Sequence, residues 1–148
     1  MILNKDFKEF IGLLNDHKVE YLLVGGYAVI IYGYPRYTGD IDIWIKPTRT
    51  NAQKLLRALA DFGFADLNLG VDDFTEPNQI IQLGQQPTRI DLLTSVDGIE
   101  FEESSNNAMA FTIENILVRV IGITQLRENK QASGRHKDLD DLKNLPPR

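Results

Sequence analysis

Phe7, Phe10, Ile11 and Leu14 recur three and four residues apart, so one face of residues 4–17 is apolar and the segment reads as an amphipathic helix. The pattern then changes period. VEYLLVGG is a continuous apolar run closed by glycines, which suits a buried strand, and YAVIIYG after it reads as a short helix stopped at Gly33 before Pro35. GDIDIWI alternates polar and β-branched residues and reads as a strand. TRTNAQKLLRALADFGF is helical, with Thr48 or Thr50 as N-cap and Gly63 past its end. Two strand pairs follow, NQIIQLG with TRIDLLT around QQP, and MAFTI with ILVRVIG around Glu114 and Asn115. The tail, residues 123–145, reads as a helix interrupted around ASGRH and closed by Pro146. Strands clustered between helices predict a small α/β or α+β domain, with residues 1–148 as one unit.

The second strand carries an apparent contradiction. Residues two apart in a strand point the same way, so Asp40 and Asp42 share one face while Ile41, Ile43 and Ile45 share the other. Their Cα atoms then lie about 6–7 Å apart, close enough for both carboxylates to reach one cation. TRIDLLT repeats the arrangement with a single acid, Asp91. If that strand lies beside GDIDIWI, a three-carboxylate cluster results. Such a cluster repels itself unless a cation neutralises it. Upstream, Gly25 and Gly26 fall at a strand-to-helix junction, where bare backbone lets a phosphate approach N–H groups. Phosphate-binding backbone beside clustered acids suggests phosphoryl or nucleotidyl transfer.

Composition narrows the chemistry. The chain has 148 residues, 43% apolar and 25% charged, with no cysteine and only His17 and His136. Disulfides, thiolate zinc sites, iron–sulfur clusters and a cysteine nucleophile are thereby excluded. A metal here would be held by oxygen, which favours Mg²⁺ or Mn²⁺. The net charge of −5 argues against a phosphate-binding coat while leaving room for a local basic cleft. The first ten residues carry charges and no apolar h-region, and the uncharged stretch over residues 21–34 is too short to span a bilayer. A cytoplasmic protein without membrane contact is expected. P-loop, Rossmann and nucleophile-elbow motifs are absent.

LLVGGYAVIIYG, then TGDIDIWI, then RIDLLT, resembles the DNA polymerase β-like nucleotidyltransferase superfamily, closest to its small bacterial minimal and toxin-type members. KQASGRHKDLDDLKNL resembles that family's C-terminal helical segment. The resemblance runs over residues 20–145. It implies a central mixed sheet flanked by helices, with Asp40, Asp42 and Asp91 as catalytic ligands of two Mg²⁺ ions. Gly25 and Gly26 become the triphosphate-holding turn and Lys130 a phosphate contact. The implied reaction moves NMP from a nucleoside triphosphate to an acceptor hydroxyl on RNA or protein, within a toxin–antitoxin system that includes a cognate partner protein. A small-molecule (antibiotic) modifier, or a degenerate nucleotide-binding module that transfers nothing, are the alternatives. Where many members have Gly-Ser, this chain has Gly26.

Other residues carry two readings. Arg36 and Thr38, before Gly39, either contact nucleotide or acceptor or lie in a solvated loop. Asp138 and Asp141 are explained by pairing on a helix surface beside Lys137. Trp44 shares the acid face and either flanks a base or joins the core. An RNA acceptor would need a basic groove, drawn from Arg36, Lys46, Arg49, Lys130 and Arg135.

Overall fold

The computed structural model describes residues 3–147. The first helix, α1 (Lys5–Asp16), is capped by the Asn4 side chain, which accepts from the Asp6 amide, and it buries the four predicted apolar residues. It leads into β1 (Tyr21–Val24), whose residues are all buried, as a central strand covered on both faces must be. The chain turns directly at Gly25 into α2 (Gly25–Ile31). β2 (Asp40–Ile45) follows, then α3 (Arg49–Leu59), N-capped by Thr48. Gly63, at φ +105°, carries the backbone through a π-turn past the end of α3.

Next come β3 (Ile80–Leu83), β4 (Arg89–Leu93), α4 (Phe101–Asn106), β5 (Met109–Ile113) and β6 (Ile116–Val120). Glu114 and Asn115 link β5 to β6 with positive φ at both positions, the requirement of a tight primed hairpin turn. The tail divides into α5 (Ile123–Ser133) and α6 (His136–Asn144), broken where Gly134 takes a left-handed cap. α4 was not foreseen: FEESSN has too little apolar periodicity to announce a helix.

The six strands form one mixed sheet in the order β3-β4-β2-β1-β6-β5. β2 runs antiparallel to β1 and parallel to β4. The expected α+β architecture, a mixed sheet flanked by helices with a helical tail, is what forms. Ile41, Ile43 and Ile45 are fully buried on the face opposite the acids. α1 packs on β6 and α3, and the Phe10 and Phe62 rings meet 5.1 Å apart beneath that layer. Asn51 is buried but satisfied: it accepts from the Glu20 amide and donates to the carbonyls of Glu20 and Lys46, fastening the start of β1 to the end of β2. Trp44 lies in the core, edge-to-face with Phe101 of α4. Among the described residues no helix is long and apolar enough to cross a membrane.

Candidate active site

The parallel pairing of β2 with β4 sets Asp40 opposite Arg89 and Asp42 opposite Asp91. Alternation puts all four side chains on one face, and one ligand oxygen from each of Asp40, Asp42 and Asp91 falls within 4.8 Å of the others. On the other side of β2, Asp42 lies opposite Val24, the last residue before the glycine turn. The three acids expected from the sequence therefore do converge beside Gly25.

The glycine at position 25 answers two demands. Its φ is +68°, and a Cβ there would overlap the Asp42 carboxylate. Gly26 is tight for a different reason. A Cβ would lie 3.0 Å from Thr38 Oγ1 and 3.1 Å from Arg36 Nη2, so the space a serine would need is already filled by a hydroxyl and a guanidinium. Thr38 donates to Asp40 Oδ1 at 3.1 Å, and Arg36 holds Asp141 through Nε at 2.9 Å and Nη2 at 3.0 Å. Both lie in the loop between α2 and β2, half-buried and held by these bonds rather than solvated.

The acids differ in their surroundings. Burial pushes the Asp42 carboxyl up to about 7, reinforced by the charges of Asp40 and Asp91 and opposed by that of Lys137. Burial also raises Asp91, against the hydrogen bond from Arg89. Asp40 is buried too, but hydrogen bonds from the Asp91 carboxyl, Thr38 and Arg89 outweigh that and hold it below the ordinary carboxylate value. Arg89 was missed in the sequence, although alternation alone sets it on the acid face two residues before Asp91. Its guanidinium reaches Asp40 Oδ2 at 2.6 Å and Asp91 Oδ1 at 2.9 Å.

A cleft of about 440 Å³ opens over this face, walled on one side by β2, β3 and β4 and on the other by the α5–α6 elbow. Lys130 lines it without facing solvent. It is 3% exposed, and its ammonium sits 3.1 Å from both Asp138 and Asp141. Those two aspartates are likewise buried, which corrects their reading as surface pairing: they anchor α5, α6 and the Arg36 loop to one another. Arg135 pairs with Asp138 at 2.8 Å. Lys137 also lines the cleft and has no ion-pair partner among the described residues. The basic groove drawn from the sequence does not assemble: Lys46 pairs with Glu20 and Glu102, and Arg49 with Asp72, away from the residues that line the cleft.

Comparison with known proteins gives a consistent fold. Residues 3–146 match the model of a family described as nucleotidyl transferase of unknown function (DUF2204). No significant relative is found among curated proteins. Among solved structures, a Thermotoga maritima protein described only provisionally as a nucleotidyltransferase superimposes with a TM-score of 0.62 at 12% identity, covering 93% of this chain and 88% of that one. A lincosamide antibiotic adenylyltransferase bound to lincomycin gives 0.60 at 18% identity, covering 97% and 96%. ANT(2″)-Ia in complex with adenylyl-2″-tobramycin gives 0.56 at 10% identity, covering 93% and 83%.

Proposed function

Because the chain belongs to this nucleotidyl transferase family, we propose that it transfers NMP from a nucleoside triphosphate to an acceptor hydroxyl with the help of a divalent cation. The observation that carries the reading is the convergence of Asp40, Asp42 and Asp91 beside the Gly25–Gly26 turn. Three clustered carboxylates, one of them pushed up to about 7 by burial and by the other two, form an all-oxygen donor set that suits Mg²⁺ or Mn²⁺. Asp40, Asp42 and Asp91 would hold the ion, which when bound neutralises the charge that develops on the α-phosphate oxygens and the leaving oxygen.

The chain's own groups supply the rest. Gly25 and Gly26 line the same cleft as Asp42, so a triphosphate there can approach bare backbone. Lys137 brings an ammonium that no carboxylate has claimed among the described residues, which makes it a better phosphate partner than Lys130. Asp91 lies one strand farther from the glycine turn, which supports a reading in which it is the carboxylate that meets the acceptor. The acceptor oxygen forms a bond to the α-phosphorus, the bond to the bridging oxygen breaks, pyrophosphate leaves, and the acceptor's proton passes to a carboxylate of the cluster or to solvent.

Of the acceptors the sequence suggests, a small molecule is better supported than RNA. Beyond Asp91 the cleft wall consists of Ile80, Gln82 and Leu93 on the strands and Ser95, Val96 and Asp97 in the turn after β4, which offer no positive charge to a phosphodiester backbone. Two of the similar structures are also bound to antibiotic ligands. A toxin–antitoxin role and a cognate partner protein remain part of the proposal only through the sequence resemblance. The test is incubation with each α-labelled NTP and Mg²⁺ against panels of hydroxylated small molecules, tRNA and proteins. Metal-dependent transfer of label, abolished in Asp42→Asn, supports the reading. Label appearing on an acceptor without a divalent cation, or surviving in Asp42→Asn, overturns it.

A further inference from the structure

Arg89 is bound to the acid cluster more completely than a chance surface pair would be. Its Nη2 lies 2.6 Å from Asp40 Oδ2 and 3.1 Å from Asp91 Oδ2, so a single nitrogen spans carboxylates from two strands. Its Nε takes the other oxygen of Asp91 at 2.9 Å, and Thr38 takes the other oxygen of Asp40 at 3.1 Å. Every carboxylate oxygen of Asp40 and Asp91 therefore already has a donor, leaving Asp42 as the acid without one. The guanidinium occupies the space between the two strands' carboxylates, which is where a cation shared by them must lie.

We propose that Arg89 is a resident counter-cation of this site, holding Asp40 and Asp91 converged in the absence of metal and giving them up when a divalent ion binds. The inference rests on the metal-dependent reading above and deepens it. Asp40 and Asp91, diagonal neighbours on adjacent parallel strands, repel, and a fork-shaped guanidinium bridging them offsets that repulsion with charge-assisted hydrogen bonds. A divalent ion needs the same inward oxygens at about 2.0–2.1 Å, and it cannot share them with an arginine that would then sit in contact with it. Arg89 is free to leave: its side chain is 26% exposed and lines the open cleft rather than the core. Metal affinity is thus set by competition with one of the protein's own side chains.

The test measures Mn²⁺ binding without nucleotide, by the loss of the free-ion electron paramagnetic resonance signal, in the wild type, Arg89→Gln and Asp42→Asn. Arg89→Gln should bind Mn²⁺ roughly tenfold more tightly than the wild type, the equivalent of removing one charge-assisted hydrogen bond from the competing state. It should also melt lower than the wild type without metal and recover more on adding Mn²⁺. Arg89→Lys serves if Arg89→Gln does not fold. A point charge cannot bridge both acids as a fork does, so Arg89→Lys should also gain affinity, by less. Equal or weaker Mn²⁺ binding in the Arg89 variants, with Asp42→Asn losing it, overturns the counter-cation while leaving the metal site standing. Absence of Mn²⁺ binding from both the wild type and the Arg89 variants overturns the metal reading and this inference with it.

Discussion

Replacing Asp42 with Asn separates an acid kept for a ligand from one that holds the fold. The carboxyl is half-buried, and burial together with the charges of Asp40 and Asp91 pushes it up to about 7 from 3.8. A folded-state value above the unfolded one means that the native protein binds the extra proton, so its stability is greatest below about pH 4 and is lost as pH rises through about 7. The gap of roughly 3 pH units corresponds to about 4 kcal/mol for a fully shielded group. Asp42 faces an open cleft and is only partly shielded, so roughly half of that, about 2 kcal/mol, is the expected cost of ionising it in the metal-free fold. Asn keeps the size and removes the charge. Urea unfolding of metal-free protein at pH 7.5 should therefore find Asp42→Asn more stable than the wild type by about 2 kcal/mol, with the gain shrinking toward zero near pH 4. Added Mg²⁺ should close the gap by stabilising the wild type alone. A variant less stable than the wild type at pH 7.5, or a gain independent of pH, would show that Asp42 is a structural partner and refute the reasoning.

Lys130→Ala should destabilise the protein by about 2–4 kcal/mol in urea unfolding, because Asp138 and Asp141 are left buried without their ammonium. Lys137→Ala should change stability by less than about 0.5 kcal/mol while weakening NTP binding by about 1–2 kcal/mol in calorimetry, since Lys137 has no ion pair to lose. The reverse assignment of these two effects would return the phosphate contact to Lys130. Gly25→Ala should cost about 1–3 kcal/mol, from a β-carbon at φ +68° that also overlaps Asp42, and it should weaken Mn²⁺ binding by displacing that carboxylate. An Ala variant that is fully stable and binds Mn²⁺ like the wild type would show that the turn does not brace the site.

The acid cluster was legible because a period-two pattern is a statement about direction. GDIDIWI fixes which side chains share a face before any partner strand is known. What alternation cannot supply is register. That Asp42 stands opposite Asp91 depends on β4 crossing over to lie parallel to β2, a long-range choice made by the packed sheet. Arg89 could have been found by the logic that found Asp91, since both lie on the same face of β4. Lys130, Asp138 and Asp141 could not. Lysine and aspartate at helical spacing look alike whether they face water or close a buried ion cluster, and only the folding of α6 back onto α5 decides which. α4 escaped for a related reason: its few buried positions, Phe101 and Ser104, do not make a stripe. Gly26 read as the loss of a serine hydroxyl, whereas the fold has filled that space with Thr38 and Arg36.

The central claim is that Asp40, Asp42 and Asp91 hold a divalent cation that seats a triphosphate over the Gly25–Gly26 turn. Titration calorimetry with a non-transferable α,β-methylene NTP, with Mg²⁺ and with chelator, in wild type and Asp42→Asn, reads it without requiring the acceptor. The account predicts binding to the wild type that depends on Mg²⁺ and falls at least about tenfold in Asp42→Asn, the loss of one charged ligand to the shared ion. Equal binding with Mg²⁺ and with chelator, or equal Mg²⁺-dependent binding by the two proteins, would contradict it.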